Sequence, residues 1–293
     1  MSESIHKKCI SCQSRNVMVL KNFHRVPLLK CGICQLVFAA QIPTASQLES
    51  YYSNYGQGHY LSPLTLKRYH QWLNDFEPFR QTKNMLDIGC GKGYFLDEAK
   101  KRGWNVYGTE YSEALVKSCR EKEITMHLGG LAVEIFPAVQ FDVILSIEVI
   151  EHINNPNEEL QIIQSLLRQG GMFYCTTPNF NSLERRWLGD KYNVISWPEH
   201  LTYYSAATLR RTIEKHGFEA RKVSTLGMSI TRFRLSRGKT SQPVVSAKSD
   251  DEVIRNMAER NFFLKWGKSA LNFFLNLTRT GMSLKGWFVL ARK

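Results

Sequence analysis

The sequence predicts an α/β fold in which helices cover both faces of a parallel sheet. Between residues 85 and 176, short apolar segments of strand length alternate with segments of helical periodicity, and this pattern is typical of such sheets. A turn with glycine at positions 89, 91 and 93 follows the first of these strands. Ligands of such sheets bind at the carboxyl ends of the strands, so this turn marks the predicted site.

The length and composition indicate a folded chain with one large domain and a small module. A chain of 293 residues exceeds the usual size of a single domain, and 43% hydrophobic residues are enough for a full core. No apolar run is long enough to span a bilayer, and the N-terminus lacks the hydrophobic region of a secretory signal. We therefore expect a cytoplasmic protein.

The net charge of +13 is concentrated at the two ends of the chain. Residues 1–37 carry 6 Lys and Arg against 1 acidic residue, and residues 210–293 carry 18 against 6, whereas residues 38–209 carry 15 against 19. The basic ends could contact nucleic acid, anionic lipid or a phosphate-bearing substrate. They could equally form a solvated surface that favours solubility.

The first 40 residues contain two C-x2-C pairs, Cys9 with Cys12 and Cys31 with Cys34, which are separated by eighteen residues. Two such pairs can close a tetrahedral site of four thiolates with no open position. We therefore predict a structural zinc ribbon over residues 1–40, with a redox pair or a lost metal site as the alternative.

Residues 41–82 are predicted to form a linker and an N-terminal helical lid. Ser62 and Pro63 are residue types preferred at the N-cap and at the first position of a helix, which we expect to reach residue 79. Four tyrosines of this segment could cover the site or could pack in an ordinary amphipathic segment. They are Tyr51, Tyr52, Tyr55 and Tyr60.

The glycine turn joins a predicted strand, 85–88, to a predicted helix, 93–102. Without a Cβ, glycine takes positive φ and lets a ligand lie against the backbone, while the helix N-terminus offers N–H groups to a carboxylate. A dinucleotide fingerprint would place its third glycine at position 94, which is tyrosine. The next strand, 104–109, ends at Glu110, whose carboxylate could accept hydrogen bonds from two ribose hydroxyls.

The acidic-x-Gly-x-Gly-x-Gly pattern of residues 87–93, together with Glu110 and the segment FDVILSIEVIEHI at 141–153, resembles the class I S-adenosylmethionine-dependent methyltransferases. The resemblance implies a Rossmann-like seven-stranded sheet over residues 83–293, with its last strand inserted antiparallel. It also implies S-adenosylmethionine as cofactor. The implied cofactor-binding residues are Asp87, Gly89, Cys90, Gly91, Gly93, Glu110, Tyr111, Leu131, Ser146 and Glu148.

A narrower resemblance concerns the acceptor. The ribbon with the proline and tyrosines after it looks like a bacterial group that acts on sugars and other polar metabolites in glycan and natural-product pathways. Within an insertion at 178–204, the segment WPEHLTYYS resembles one in deoxysugar C-methyltransferases, which implies acid–base roles for Glu199 and His200. Trp197 and Pro198 depart from that segment, so we favour O-methylation. His152, which matches a histidine near the methyl group, is the alternative base.

The last part of the chain is predicted to form a polar loop and an amphipathic helix within residues 237–280. The apolar spacing of 253–279, with basic residues interspersed, suits a helix that lies on a membrane surface or packs on its own domain. We expect methyl transfer to a small polar acceptor, such as a sugar, nucleotide sugar or glycan precursor. RNA methylation and non-catalytic cofactor binding are the alternatives, and the oligomeric state is left open.

Overall fold

The computed structural model describes residues 5–52, 61–238, 251, 253, 254, 257 and 261–291. Two sheets organise this part of the chain. Its strands are β1 (Val17–Val19), β2 (Leu28–Cys31), β3 (Val37–Ala39), β4 (Asn84–Ile88), β5 (Asn105–Glu110), β6 (Thr125–Leu128), β7 (Phe141–Ile147), β8 (Leu167–Pro178), β9 (Thr202–Tyr203), β10 (Phe218–Leu226) and β11 (Ser283–Leu290).

Helices connect these strands. They are α1 (Ala45–Tyr52), α2 (Pro63–Phe76), α3 (Tyr94–Lys101), α4 (Glu113–Glu121), α5 (Pro156–Leu166), α6 (Leu183–Leu188), α7 (Ala206–Glu214), α8 (Ile230–Ser236) and α9 (Phe262–Leu277). The sequence explains their starts, because the Ser62 hydroxyl accepts a hydrogen bond from the Thr65 N–H at 3.1 Å and Ser205 forms a capping box with Thr208.

The seven-stranded sheet has the order β10-β11-β8-β7-β4-β5-β6. Neighbouring strands from β8 to β6 are parallel, and β11 pairs antiparallel with both β8 and β10. Strand β7 shows that both faces are covered, since Ile144 packs into one hydrophobic cluster and Val143 and Leu145 pack into another. The α/β fold with its antiparallel last strand is therefore confirmed.

The boundary between α5 and β8 differs from the prediction. The alternation in the sequence predicts a helix over 157–168 and a strand over 171–176. In the structure α5 ends at Leu166 and β8 begins at Leu167, four residues earlier than predicted. Leu167 pairs with Phe141 of β7, and the Arg168 guanidinium donates to the buried Asp142 carboxylate at 2.5 Å. These tertiary contacts extend the strand where the local pattern favours a helix.

The smaller sheet joins the N-terminal residues to the large domain. Strands β1, β2 and β3 form a meander, and β9, from the predicted insertion, pairs antiparallel with β3 as its fourth strand. Side chains of the large domain hold the same region, since Asn157 donates to the backbone carbonyls of Ile10 and Ser11 at 2.9 and 2.8 Å. The N-terminal sheet is thus built onto the segment that carries the predicted catalytic residues.

Candidate functional site

The turn after β4 forms an open backbone cradle. Gly89, Gly91 and Gly93 all have positive φ, at 64°, 56° and 66°. A Cβ at Gly89 or Gly93 would lie 2.8 Å from a neighbouring side chain, whereas no described atom lies within 4 Å of a Cβ built at Gly91. Two of the glycines are therefore required by packing, and the middle one faces a space that a ligand can fill.

Glu110, at the end of β5, is fixed beside this turn. Its carboxylate accepts hydrogen bonds from the N–H of Gly91 at 3.0 Å, of Tyr111 at 2.8 Å and of Ser112 at 3.2 Å. The turn is also tied to β5 by the Cys90 N–H, which donates to the Thr109 carbonyl at 3.1 Å. A carboxylate can accept four or so hydrogen bonds, so Glu110 keeps capacity for ligand hydroxyls.

Asp87, the last but one residue of β4, carries a buried acceptor at the base of the turn. Its carboxylate oxygen Oδ1 has no hydrogen-bond partner among the described residues. Burial, with smaller contributions from Cys119 and Glu110, raises the pKa of Asp87 well above its ordinary value. A buried oxygen of this kind is costly unless a donor reaches it, so Asp87 would gain from a cationic or N–H ligand group.

The other predicted cofactor-binding residues lie around the same crevice. Leu131 is buried in the loop after β6, where the Gly129 N–H donates to the Glu110 carbonyl at 2.9 Å. Tyr111 is exposed, and its hydroxyl lies close to Gly130, 2.6 Å from the position that a Cβ would take there. The Cys90 sulfur, 3.8 Å from the Met126 sulfur, is directed to the core, which leaves its backbone to face the turn.

Strand β7 supplies Ser146, which is buried, and Glu148, which follows the strand end. Glu148 has a φ of 56°, unusual for a residue with a side chain, and its N–H donates to the Thr176 carbonyl at 3.0 Å. Val149 then contacts the glycine turn, and its carbonyl accepts from the His152 N–H at 2.8 Å. The glycine turn and the predicted catalytic histidine are thereby adjacent.

The structure brings His152, Glu199 and His200 together, although 47 residues separate the first two. The His152 and His200 rings lie 4.9 Å apart. Each ring uses Nδ1 to bond a backbone carbonyl, His152 that of Glu199 at 2.6 Å and His200 that of Val194 at 2.7 Å. Because a carbonyl only accepts, Nδ1 carries the proton of the neutral His200 ring and Nε2 carries the lone pair.

Burial, followed by the nearby His152, lowers the pKa of His200 to about 4. Burial also lowers the pKa of His152. For Glu199, burial alone would raise the pKa, but His200 and hydrogen bonds from Ser196 and Tyr51 outweigh it and hold the value below the ordinary one. At neutral pH the pair is therefore an ionised carboxylate beside a neutral imidazole that can accept a proton.

Sequence reasoning missed Glu151, which completes this cluster. One of its carboxylate oxygens and one nitrogen from each of His152 and His200 all lie within 4.8 Å of one another. Glu151 is buried, its Oε2 has no hydrogen-bond partner among the described residues, and burial raises its pKa well above the ordinary value. A carboxyl group and imidazoles this close together titrate as a coupled set. Glu151, His152 and His200 also offer ligand atoms that suit a metal ion. Glu151 and His200 line a small cavity with Asn179, Arg185 and Tyr192.

One tyrosine of the predicted lid reaches the site. The Tyr51 side chain, from α1, hydrogen-bonds the Glu199 carboxylate. Tyr55 and Tyr60 lie outside the described residues, as does the side chain of Tyr52. The lid thus stays a prediction, and the contact of Tyr51 supports it.

The four N-terminal cysteines form one cluster. All four sulfur atoms lie within 4.8 Å of one another, with Cys9 to Cys34 at 3.4 Å and Cys12 to Cys31 at 3.5 Å, and none is in a disulfide. Zinc–sulfur bonds of about 2.3 Å in a tetrahedron place sulfur atoms roughly 3.8 Å apart. The cluster therefore has the size and the donor set for one Zn²⁺ ion.

Part of the chain is similar to known proteins. Residues 59–223 match a family described as methyltransferase domain. A protein of Mycolicibacterium smegmatis named a probable S-adenosylmethionine-dependent methyltransferase is 30% identical over 148 residues, which cover 50% of this chain and 55% of that protein. A ubiquinone biosynthesis O-methyltransferase of Roseobacter denitrificans is 33% identical over 111 residues, 36% of this chain and 44% of that protein. The chain spans about half the length of the curated relatives it matches.

A similar fold occurs among solved structures. A SAM dependent methyltransferase from Archaeoglobus fulgidus aligns with a TM-score of 0.52 and 18% identity, over 84% of this chain and 100% of that one. At this identity the likeness concerns the fold alone, and it agrees with the seven-stranded sheet described above.

Proposed function

The chain belongs to the methyltransferase domain family, and from this premise we propose that it transfers a methyl group from S-adenosylmethionine to a small polar acceptor. A sugar or glycan precursor methylated on oxygen is the acceptor class that we favour. The observation that carries the proposal is the adjacency of two arrangements: a glycine cradle flanked by Asp87 and Glu110, and a buried cluster containing Glu199 and His200.

The cradle fits the proposed cofactor. The unpartnered Asp87 oxygen and the space at Gly91 would receive its methionine end, and Glu110 would accept hydrogen bonds from its ribose hydroxyls. When bound, the cofactor supplies a methyl group on a sulfonium, so the leaving thioether is neutral and needs no acid. The protein must then orient the acceptor and remove one proton from it.

The buried cluster fits that proton transfer. His200 presents Nε2 as a lone-pair acceptor, because Nδ1 is held by the Val194 carbonyl. Glu199 is held by Ser196 and Tyr51 and stays ionised, so it can stabilise the imidazolium that forms. His152 fixes the Glu199 backbone and is the alternative base. We assign the base role to His200.

The acceptor assignment rests on the resemblance of the Glu199–His200 segment to sugar methyltransferases, and the site can be tested without naming the acceptor. The protein is incubated with methyl-labelled S-adenosylmethionine and bacterial extract, and RNA is separated from the metabolite and glycan fractions before counting. Label in the metabolite or glycan fraction supports the proposal. Label that ribonuclease treatment releases would instead assign RNA as the acceptor and the basic ends as its binding surface.

We expect Glu110→Ala to lower the affinity for S-adenosylmethionine by about 100-fold, because it removes charge-assisted hydrogen bonding to the ribose worth about 2.7 kcal/mol in all. Isothermal titration measures the change. Glu113→Ala is the matched control, since Glu113 is an exposed carboxylate in the first turn of α4. Unchanged affinity in Glu110→Ala would remove the ribose assignment.

The two glycine positions give a second test of the cradle. Gly91→Ala should cost about 1–2 kcal/mol of stability from its left-handed backbone, and its Cβ would enter the ligand space and lower the affinity at least about tenfold. Gly93→Ala should lose about 3 kcal/mol, because its Cβ would also meet Cys119 and Ile124 at 2.8 Å. Chemical denaturation and titration separate the effects. Wild-type affinity in folded Gly91→Ala would exclude this turn as the cradle.

We also propose that Cys9, Cys12, Cys31 and Cys34 hold a structural Zn²⁺ ion. The four thiolates would fill its tetrahedral coordination, so it would take no part in the reaction. Backbone N–H groups of Ile33 and Cys34 donate to the Cys31 sulfur, each at 3.4 Å, and would stabilise the thiolate.

A further inference from the structure

Helix α9 is attached to the protein by a narrow polar strip. The side-chain oxygens of Asn272 and Asn276 accept hydrogen bonds from the N–H groups of Gly227 and Thr225, each at 2.9 Å. Between them Leu275 is fully buried, and its carbonyl accepts from the Thr225 hydroxyl at 2.8 Å. These contacts turn one side of the helix toward the end of β10.

The opposite side of α9 is apolar and exposed. At 100° per residue, five large side chains fall within one arc of about 100° on the side opposite Leu275 and Asn272, with only Ala270 among them. Their exposed fractions are 83% for Phe263, 68% for Trp266, 72% for Phe273, 55% for Phe274 and 71% for Leu277. A helix on a soluble surface normally has the reverse arrangement, with polar residues outward.

The sequence left open whether this segment packs on its own domain or lies on a membrane. Among the described residues, α9 contacts the sheet through its Asn272 and Asn276 side. The exposed apolar side is therefore not the side that packs on the domain. No helix of the described chain is long and apolar enough to cross a bilayer. At 16 residues, α9 is about 24 Å long, which suits a helix that lies parallel to a membrane surface.

Charge and composition favour lipid over a second copy of the chain. Residues 210–293 carry 18 Lys and Arg against 6 Asp and Glu, and such an excess repels an identical surface and attracts anionic headgroups. Lys268 lies on the polar side of the helix, and Arg279 follows its end. Phe and Trp are the residues that interfacial helices bury at the headgroup boundary.

We propose that α9 binds the surface of an anionic bilayer, with Phe263, Trp266, Phe273, Phe274 and Leu277 inserted at the boundary of headgroups and acyl chains. The Asn272 and Asn276 side then faces the protein, and the basic excess of residues 210–293 attracts the anionic headgroups. The proposal is independent of the acceptor. It would place the methyltransferase site beside a membrane, where acceptors with a lipid part are concentrated.

Vesicle co-sedimentation of the full chain tests the proposal. We expect the protein to bind vesicles of phosphatidylcholine with 30 mol% phosphatidylglycerol, and to bind vesicles of phosphatidylcholine alone about tenfold more weakly. High salt should weaken binding to the anionic vesicles. The double variant Phe273→Ser/Leu277→Ser should lose binding at least about tenfold, because it removes two large apolar side chains from the inserted face.

The matched control is Met18→Ser/Val19→Ser, which removes two exposed apolar side chains from β1, with exposed fractions of 51% and 64%. Equal near-ultraviolet circular dichroism and cofactor affinity establish that the α9 variant is folded. The proposal is overturned if the wild type binds neither vesicle type, or if Phe273→Ser/Leu277→Ser binds anionic vesicles as strongly as Met18→Ser/Val19→Ser does. A dimer in analytical ultracentrifugation that only the α9 variant abolishes, without vesicle binding, would assign this face to a second copy.

Discussion

His200→Ala is expected to lower kcat by about 10²- to 10⁴-fold, the range typical of losing a general base. The affinity for S-adenosylmethionine should stay within about twofold, because an interaction made only with the reacting acceptor does not contribute to cofactor binding. The physical basis is the fixed ring: the Val194 carbonyl holds Nδ1 at 2.7 Å, so Nε2 is the nitrogen that accepts the proton. Methyl transfer at saturating cofactor and a separate cofactor titration measure the two quantities.

Two other histidines provide controls. His216→Ala removes a buried imidazole that bonds Asn157 at 3.0 Å, near the N-terminal sheet and away from the cluster, and should leave kcat close to wild type. His152→Ala removes the 2.6 Å contact with the Glu199 carbonyl and should reduce kcat less than His200→Ala. If His152→Ala loses all turnover while His200→Ala retains it, the base is His152.

The pH dependence of kcat tests the same assignment. Burial and the neighbouring His152 lower the pKa of His200 to about 4, so the ring is neutral and able to accept a proton at pH 7. Turnover should therefore fall only as the pH drops toward 4. The stability that the neutral ring contributes is complete above the unfolded value of about 6.5 and is lost as the pH falls through the folded pKa. An acid limb near pH 6.5 would contradict a buried neutral His200.

The parts of the site that lie close together in sequence could be predicted from it. The strand, the glycine turn and the helix after it occupy consecutive residues, and Glu110 ends the next strand, so local patterns place all of them at one sheet edge. Parallel pairing of β4 with β5 then follows from the alternation of elements. The buried, unpartnered oxygen of Asp87 needed the structure, because burial depends on the whole fold.

The parts that depend on long-range contacts could not be predicted. Nothing in the sequence marks Glu151 itself as part of a site, because His200 belongs to a distant segment of the chain and only the fold brings the two together. Strand β9 has two residues, too short for any periodicity, and its partner β3 lies more than 160 residues earlier in the chain. The outward apolar side of α9 also depends on which side meets β10, which the spacing of apolar residues does not determine.

The pairing of β3 with β9 makes the N-terminal cysteines relevant to catalysis. Cys31 ends β2 and Cys34 lies in the turn between β2 and β3, and the Ala39 N–H at the end of β3 donates to the Leu201 carbonyl at 2.9 Å. The Leu201 N–H in turn donates to the Glu151 carbonyl at 2.8 Å. His200 therefore lies in a segment held between the cysteine-bearing sheet and the turn that carries Glu151 and His152, so loss of zinc should displace it.

Cys31→Ser is accordingly expected to reduce bound zinc well below one equivalent and to lower kcat by about 100-fold, the effect typical of misplacing a catalytic group by about 1 Å. Cofactor affinity should change little, because the cradle belongs to β4 and β5. The matched control is Ile33→Ser, an exposed residue between the two cysteines, which should retain zinc and turnover. Metal analysis, hydrogen exchange of residues 196–204 and cofactor titration provide the readouts. The prediction is contradicted if Cys31→Ser contains no zinc but keeps full turnover and unchanged hydrogen exchange at residues 196–204. His200 would then be held in place without the metal.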